Sequence, residues 1–287
     1  MKQTLAVLTV ILAIIVIWYA AAVALNAQWV KDQAARAGEE VSVSQLLTQT
    51  MEQERPVLPA PHQVVAGLWD GLAGQKVTSK RSLVYHGWVT LSATLLGFAL
   101  GTAAGILLAV GIVNSRAMDL SVMPWAIASQ TIPILAIAPM VIVVLASMGI
   151  KGLLPKAIIA AYLSFFPVLV GMVKGLRAPD TGQLDLLKTY HASPSQGFWK
   201  LRLPSSMPYL FASLKVGVAA SLVGTIVAEL PAGATAGLGA RLLSGSYYGQ
   251  TVQIWSALFT AAALAAALVM IVGMVEERVL KRMGMAR

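Results

Sequence analysis

Glu229, in the stretch GTIVAELPAG, is an ionisable side chain near the end of an apolar run, and Lys215 lies fourteen residues before it in the same run. A carboxylate so placed has two chemical uses. It can gate or polarise a solute pathway, or it can accept from nearby backbone amides and fix a local turn. Lys215 is not its partner within one helix, because fourteen residues of α-helix separate them by about 21 Å. Its ammonium is expected to snorkel toward the inner surface. His62, His86 and His191 are dispersed and cysteine is absent, so neither a metal centre nor a disulfide framework is expected. The chain contains no G-x-x-x-x-G-K-[ST] phosphate loop, so it is not expected to cradle ATP itself.

The elements that must position these groups are membrane helices. Of the 287 residues, 57% are hydrophobic and 11% charged, against about 25% charged in a soluble domain. A helix that crosses lipid needs about 20 apolar residues, and six runs qualify, at 4–25, 88–112, 121–147, 155–173, 208–230 and 251–275. The expected class is an all-α membrane protein of six transmembrane helices. Its expected divisions are an anchor helix (1–25), an amphipathic outer segment (26–87), a core of five transmembrane helices (88–275) with an inner loop at 174–207, and a basic tail (276–287). The first run could be a signal peptide cleaved near Ala22 or Ala24. Its length of about 22 residues exceeds a signal core of 7 to 15, so it is taken as a retained anchor.

The formal charge of +9 fits orientation better than nucleic-acid binding. With the N-terminus inside, Lys2, Arg116, the cluster Lys174, Arg177, Lys188, Lys200 and Arg202, and Arg278, Lys281, Arg282 and Arg287 all lie on the inner side. That distribution obeys the positive-inside rule. Residues 26 to 86 carry six basic and six acidic residues and can be translocated. Lys151 and Lys156 are the exceptions, falling on the outer side.

Three features could shape a path. Pro133 and Pro139, with Pro124, Pro155 and Pro167, remove backbone donors at depths where lipid supplies no replacement. Such helices are either kinked bundle members or pathway walls. Gly97, Gly101 and Gly105, four apart in GFALGTAAG, allow two helix backbones to approach closely. The loop PAGATAGLGARLLSGSYYGQ, with Gly233, Gly237, Gly239, Gly245 and Gly249, permits tight re-entrant backbone. Its Tyr247 and Tyr248 are ligand contacts or interfacial anchors.

One polar stretch interrupts the apolar pattern: LLKTYHASPSQGFWKLRLP, residues 186–204. Asp180 or Thr181 is expected to cap a short helix that stops near His191, where backbone tolerant of left-handed geometry is needed. Ser193, Pro194 and Gln196 have the cap, first-turn and capping-box positions of a second helix. That helix should end at Leu203, before Pro204. Two short helices with a sharp joint make an elbow suited to mechanical contact with a soluble partner, or to packing against its own bundle.

The same stretch resembles the cytoplasmic signature of permeases of binding-protein-dependent ABC importers: Glu-Ala-Ala, three residues, Gly, nine residues, then Ile-x-Leu-Pro. Setting Leu203 and Pro204 on its last pair puts Leu201 at the Ile, His191 at the Gly, and Asp185, Leu186 and Leu187 at Glu-Ala-Ala. The spacing is kept, with Asp for Glu, leucines for the alanines and His for Gly. The resemblance runs from about Leu58 to the C-terminus through VLPAPHQV, TIPILAIAPMVIVVLASMGIKG, FFPVLVGMVKGLR and IVAELPAGATAGLG. It is closest to the nitrate, sulfonate and taurine branch, with a fainter similarity to pyrimidine-type permeases.

The resemblance implies the type I permease fold in the bacterial inner membrane, with both termini cytoplasmic. It implies a second permease copy, making a homodimer in the simplest case, two ATPase subunits that hold the ATP and Mg, and a periplasmic solute-binding protein. No cofactor is implied on this chain, and no nucleic acid. The elbow becomes the coupling-helix region, with Asp185, Leu186, Leu187, Lys188, His191, Ala192 and Ser193 against the ATPase. Pro133, Pro139, Glu229, Tyr247 and Tyr248 are the pathway or gate candidates. A membrane scaffold subunit, or a membrane-embedded enzyme without a transport role, is the alternative.

Overall fold

The computed structural model describes residues 2–38, 40–231 and 234–285. Gly233 and Arg287 lie outside the described residues, as does the Lys2 side chain. In chain order the helices are α1 (Lys2–Ala37), α2 (Val43–Met51), α3 (Pro61–Trp69), α4 (Leu83–Asn114), α5 (Arg116–Ser129), α6 (Ile134–Ser147), α7 (Leu153–Leu176), α8 (Thr181–Thr189), α9 (Pro194–Gly197), α10 (Leu203–Glu229), α11 (Leu238–Tyr247) and α12 (Thr251–Arg282). No strand occurs among the described residues. The all-α class is as expected from the apolar runs.

Among the described residues, five helices are long and apolar enough to cross a membrane, and α5 with α6 makes a sixth span if the bent pair is counted as one. The expected continuous span 121–147 is instead broken at Gln130–Pro133, where α5 and α6 meet at 98°. Pro133, which cannot donate to the preceding turn, stands at the N-cap of α6. The Tyr162 hydroxyl donates to the carbonyl of Ser129 at the last turn of α5. The break is therefore secured from α7 rather than merely permitted by proline.

The other spans were foreseen but are longer. The first does not end at residue 25, because no breaker occurs until Gly38, at φ 72. The fifth was expected to begin at 208, after a helix ending at Leu203. Instead α9, a wide turn over Phe198–Arg202 and α10 form one helix from Pro194 to Glu229. The wide turn bonds the Leu203 amide to the Phe198 carbonyl. The extra residue in that turn falls immediately before Pro204, where the proline ring needs relief from the preceding turn, so the helix runs through the proline instead of stopping.

The chain forms two compact units: residues 1–86 with 240–261, and residues 87–239 with 262–287. In the first, buried Asn26 organises the segment before α3. Its Nδ2 donates to the Leu58 carbonyl at 2.9 Å, and its Oδ1 accepts from the Val57 amide at 2.8 Å. Trp18 Nε1 donates to the Pro59 carbonyl at 2.9 Å, and its ring meets Trp255 at 4.9 Å. Within residues 26–55, α2 folds back along α1, and Gln53 Nε2 donates to the Asn26 carbonyl at 3.3 Å.

In the second unit α7 is central. A Cβ on Gly97 would lie 2.7 Å from the Ala157 carbonyl oxygen, one on Gly101 2.8 Å from that of Ala161, and one on Gly105 2.7 Å from that of Phe165. The glycine ladder of α4 therefore lies directly on the backbone of α7, as its four-residue spacing predicts. On another side α10 does the same, with Gly224 against Ala160. Ile112, Leu169, Met172 and Leu176 fill the interior.

Candidate functional site

The elbow is built from its caps outward. Asp180 caps α8, its Oδ1 accepting from the Gln183 amide at 2.7 Å while Gln183 Oε1 accepts from the Asp180 amide at 3.3 Å. At the other end the Ala192 amide bonds to the Leu187 carbonyl at 3.0 Å and the His191 amide to that of Lys188 at 2.9 Å. This six-to-one and five-to-two pair closes a helix when the intervening residue is left-handed. His191 is that residue, at φ 52, among the described residues the one non-glycine with positive φ. Ser193 then caps α9, accepting from the Gln196 amide at 3.3 Å, and Gln196 Oε1 accepts from the Ser193 amide at 2.9 Å. Leu187 lies 3.9 Å from where a Cβ on Gly197 would stand, so the two arms nearly touch.

The elbow has no buried residue in α8 or α9. Leu186, Tyr190 and Trp199 are 57%, 77% and 64% exposed, an apolar set at odds with its polar surroundings. Lys188 meets Asp185 at 2.8 Å. At this exposure the pair adds at most about 1 kcal/mol, and it orients charge more than it stabilises. Asp185, Lys188, His191 and Ser193 are exposed, with Ala192 and Leu187 half-buried.

Glu229, the last residue of α10, is fully buried. Lys156 Nζ, from the first turn of α7, reaches its Oε1 at 3.0 Å and also donates to the Ala236 carbonyl at 2.9 Å. Oε2 accepts from Thr90 Oγ1 at 2.9 Å and from the Gly239 amide at 3.0 Å. Thr90 Oγ1 in turn accepts from the Leu238 amide at 2.9 Å. The carboxylate thereby ties α4, α7, α10 and the chain at 236–239 into one knot. Only glycine fits at 237, where φ is 124 and a Cβ would fall 2.1 Å from the Glu229 carboxylate. Hydroxyls continue the seam between α4 and α10: Thr94 Oγ1 donates to Thr225 Oγ1 at 3.1 Å and Ser221 Oγ to the Thr94 carbonyl at 2.8 Å.

Both oxygens of Glu229 are thus engaged, which suits positioning rather than proton transfer. Lys156, a misfit for orientation when read from sequence, is its counter-charge. The partner was hidden because 73 residues separate the two, although both are ionisable groups at the ends of apolar runs. Lys215 likewise does not reach water alone: its ammonium meets the Glu276 carboxylate.

The remaining candidates are not gathered at this knot. Pro133 and Pro139 are exposed on α6 and its cap. Tyr247 and Tyr248, 76% and 69% exposed, stand at the end of α11 in the first unit. No group of three or more metal-ligating side chains occurs among the described residues.

A family model described as "Binding-protein-dependent transport system inner membrane component" matches residues 101–283. The chain is 30% identical over 184 residues to a probable ABC transporter permease of Haemophilus influenzae, covering 64% of this chain and 73% of that one. It is 29% identical to the riboflavin transport system permease of Chloroflexus aurantiacus, over 77% of this chain and 78% of the other. It is 30% identical to the formylaminopyrimidine transport permease of Halalkalibacterium halodurans, over 64% and 68%. With five or six candidate spans among the described residues and the elbow at the signature spacing, the chain belongs to the inner-membrane components of binding-protein-dependent transport systems, as a multi-pass permease subunit of an ABC transporter.

Proposed function

We propose that two copies of this chain form the translocation path of an importer, with both termini cytoplasmic. Two separate ATPase subunits hold ATP and Mg, and a periplasmic binding protein delivers the solute. This chain carries no cofactor of its own. The observation that carries the reading is the elbow: two helices locked at a sharp joint by successive capping boxes, exposing Leu186, Tyr190 and Trp199 to a partner. A stiff element transmits a push, whereas a loop absorbs it. Asp185, Leu186, Leu187, Lys188, His191, Ala192 and Ser193 are the contact set for the ATPase.

Pro133 and Pro139 bend or line the path, and Glu229 holds the outer ends of three helices in register while they rock. Tyr247 and Tyr248 meet the solute or the binding protein. The substrate is a small organic anion of the sulfonate or nitrate kind, or a pyrimidine-like compound. Support comes from the names of relatives, which include the formylaminopyrimidine permease and a putative aliphatic sulfonate permease of Bacillus subtilis.

The test is co-purification with the ATPase and binding protein encoded alongside it, then ATPase activity with and without the binding protein. Stimulation by the binding protein that is lost when Asp185→Ala and His191→Ala are combined is the expected result. If no ATPase co-purifies, or the double variant couples normally, the reading fails.

A further inference from the structure

The first unit holds a cavity of about 470 Å³, walled by α3 and the wide helical turn Asp70–Gly74 that continues it, the segment before α4, and the starts of α11 and α12. Arg81, Arg241, Asp70 and Ser256 line it. Gly67 lets two of the walls meet, since a Cβ there would fall 2.8 Å from both Ser256 Oγ and Val252 Cγ1. Two donors of lining residues, Arg241 Nε and Ser256 Oγ, have no surface open to the cavity and make no hydrogen bond among the described residues. Buried donors need acceptors, and an anion in the cavity would reach these two only as the side chains turn toward it.

Charge points the same way. Neither arginine has a carboxylate within ion-pair distance among the described residues. Asp70, the one acid on the lining among the described residues, is held by Gln75 Nε2 at 3.2 and 3.3 Å. Two guanidinium groups therefore face one carboxylate. Burial first, and then the positive charge of Arg81, push the Arg241 guanidinium below the usual arginine range. An anion in the cavity would reverse that second effect.

The volume lies in the range of small-molecule sites, about 300 to 1,000 Å³, and exceeds the need of a monatomic ion. Guanidinium forks match planar or tetrahedral oxyanions. We infer that this cavity is an oxyanion site, taking a phosphate, sulfonate or carboxylate group between Arg81 and Arg241. Val65, Trp69 and Leu72 are exposed on the adjoining helix, a pattern found at membrane interfaces. A lipid headgroup phosphate and a free oxyanion would thus satisfy the same chemistry.

The test uses the full chain, purified and delipidated in detergent, and reads binding without ATP or transport, so its failure and that of the importer reading are distinguishable. Inorganic sulfate is titrated at constant ionic strength against chloride, and phosphatidylglycerol against phosphatidylcholine, following the unfolding midpoint. Saturable stabilisation by sulfate marks a free oxyanion site, and stabilisation by phosphatidylglycerol alone marks a headgroup site. Arg81 is exposed, so Arg81→Gln is expected to fold normally and to weaken binding at least tenfold. Absence of saturable binding of either probe, or a loss smaller than tenfold, overturns the inference.

Discussion

The Glu229–Lys156 pair sets two large effects against each other. Burying both charges is costly, and their attraction with the Thr90, Gly239 and Ala236 bonds offsets it. Removing one partner leaves the other charge buried and unpaired. Glu229→Leu or Lys156→Met should each destabilise by about 3–5 kcal/mol, measured by unfolding in detergent. The double variant should recover much of that loss, since no uncompensated charge remains. If the two single losses simply add, the pair is not coupled. Sequence reading found Glu229 but not its partner, because the spacing of a helix says nothing of which neighbouring helix arrives beside it.

At the level of elements, the elbow depends on caps that are local in sequence and were readable there. Asp180, Ser193, Pro194 and Gln196 occupy the expected positions. His191 carries the one strained joint. Left-handed backbone costs a non-glycine residue about 1–2 kcal/mol, so His191→Gly should stabilise the α8 terminus by about 1 kcal/mol. Ser193→Ala should cost about 1 kcal/mol by removing the acceptor for the Gln196 amide. Hydrogen exchange of the amides in residues 181–197 checks both, with slower exchange expected for the first and faster for the second. The end of the second arm was not readable in this way. Proline at 204 signals a stop by local rules, whereas the wide turn at Phe198–Arg202 carries the helix past it into α10, which packs along α7.

For the assembled bundle, the decisive contacts are backbone to backbone. Gly101→Ala would place a Cβ 2.8 Å from the Ala161 carbonyl oxygen, which cannot move without displacing α7. Overpacking costs about 1–3 kcal/mol and exceeds the gain of about 1 kcal/mol in helix propensity. Gly87→Ala meets nothing within 4 Å and should gain by that propensity alone. The unfolding midpoints of these two variants should therefore move in opposite directions.

By itself the sequence determined the membrane class, the number of apolar runs, the caps of the elbow and the glycine face of α4. Each depends on residues within a few turns of one another, where periodicity and capping chemistry act. Tertiary structure alone decided the 98° break between α5 and α6, the passage of the helix through Pro204, and the pairing of Lys156 with Glu229. These arise from groups brought together across 33 to 73 residues of chain and from packing that outweighs local preference. Within lipid, a buried charge or a freed carbonyl must find its partner inside the protein, and only the folded bundle brings that partner into reach.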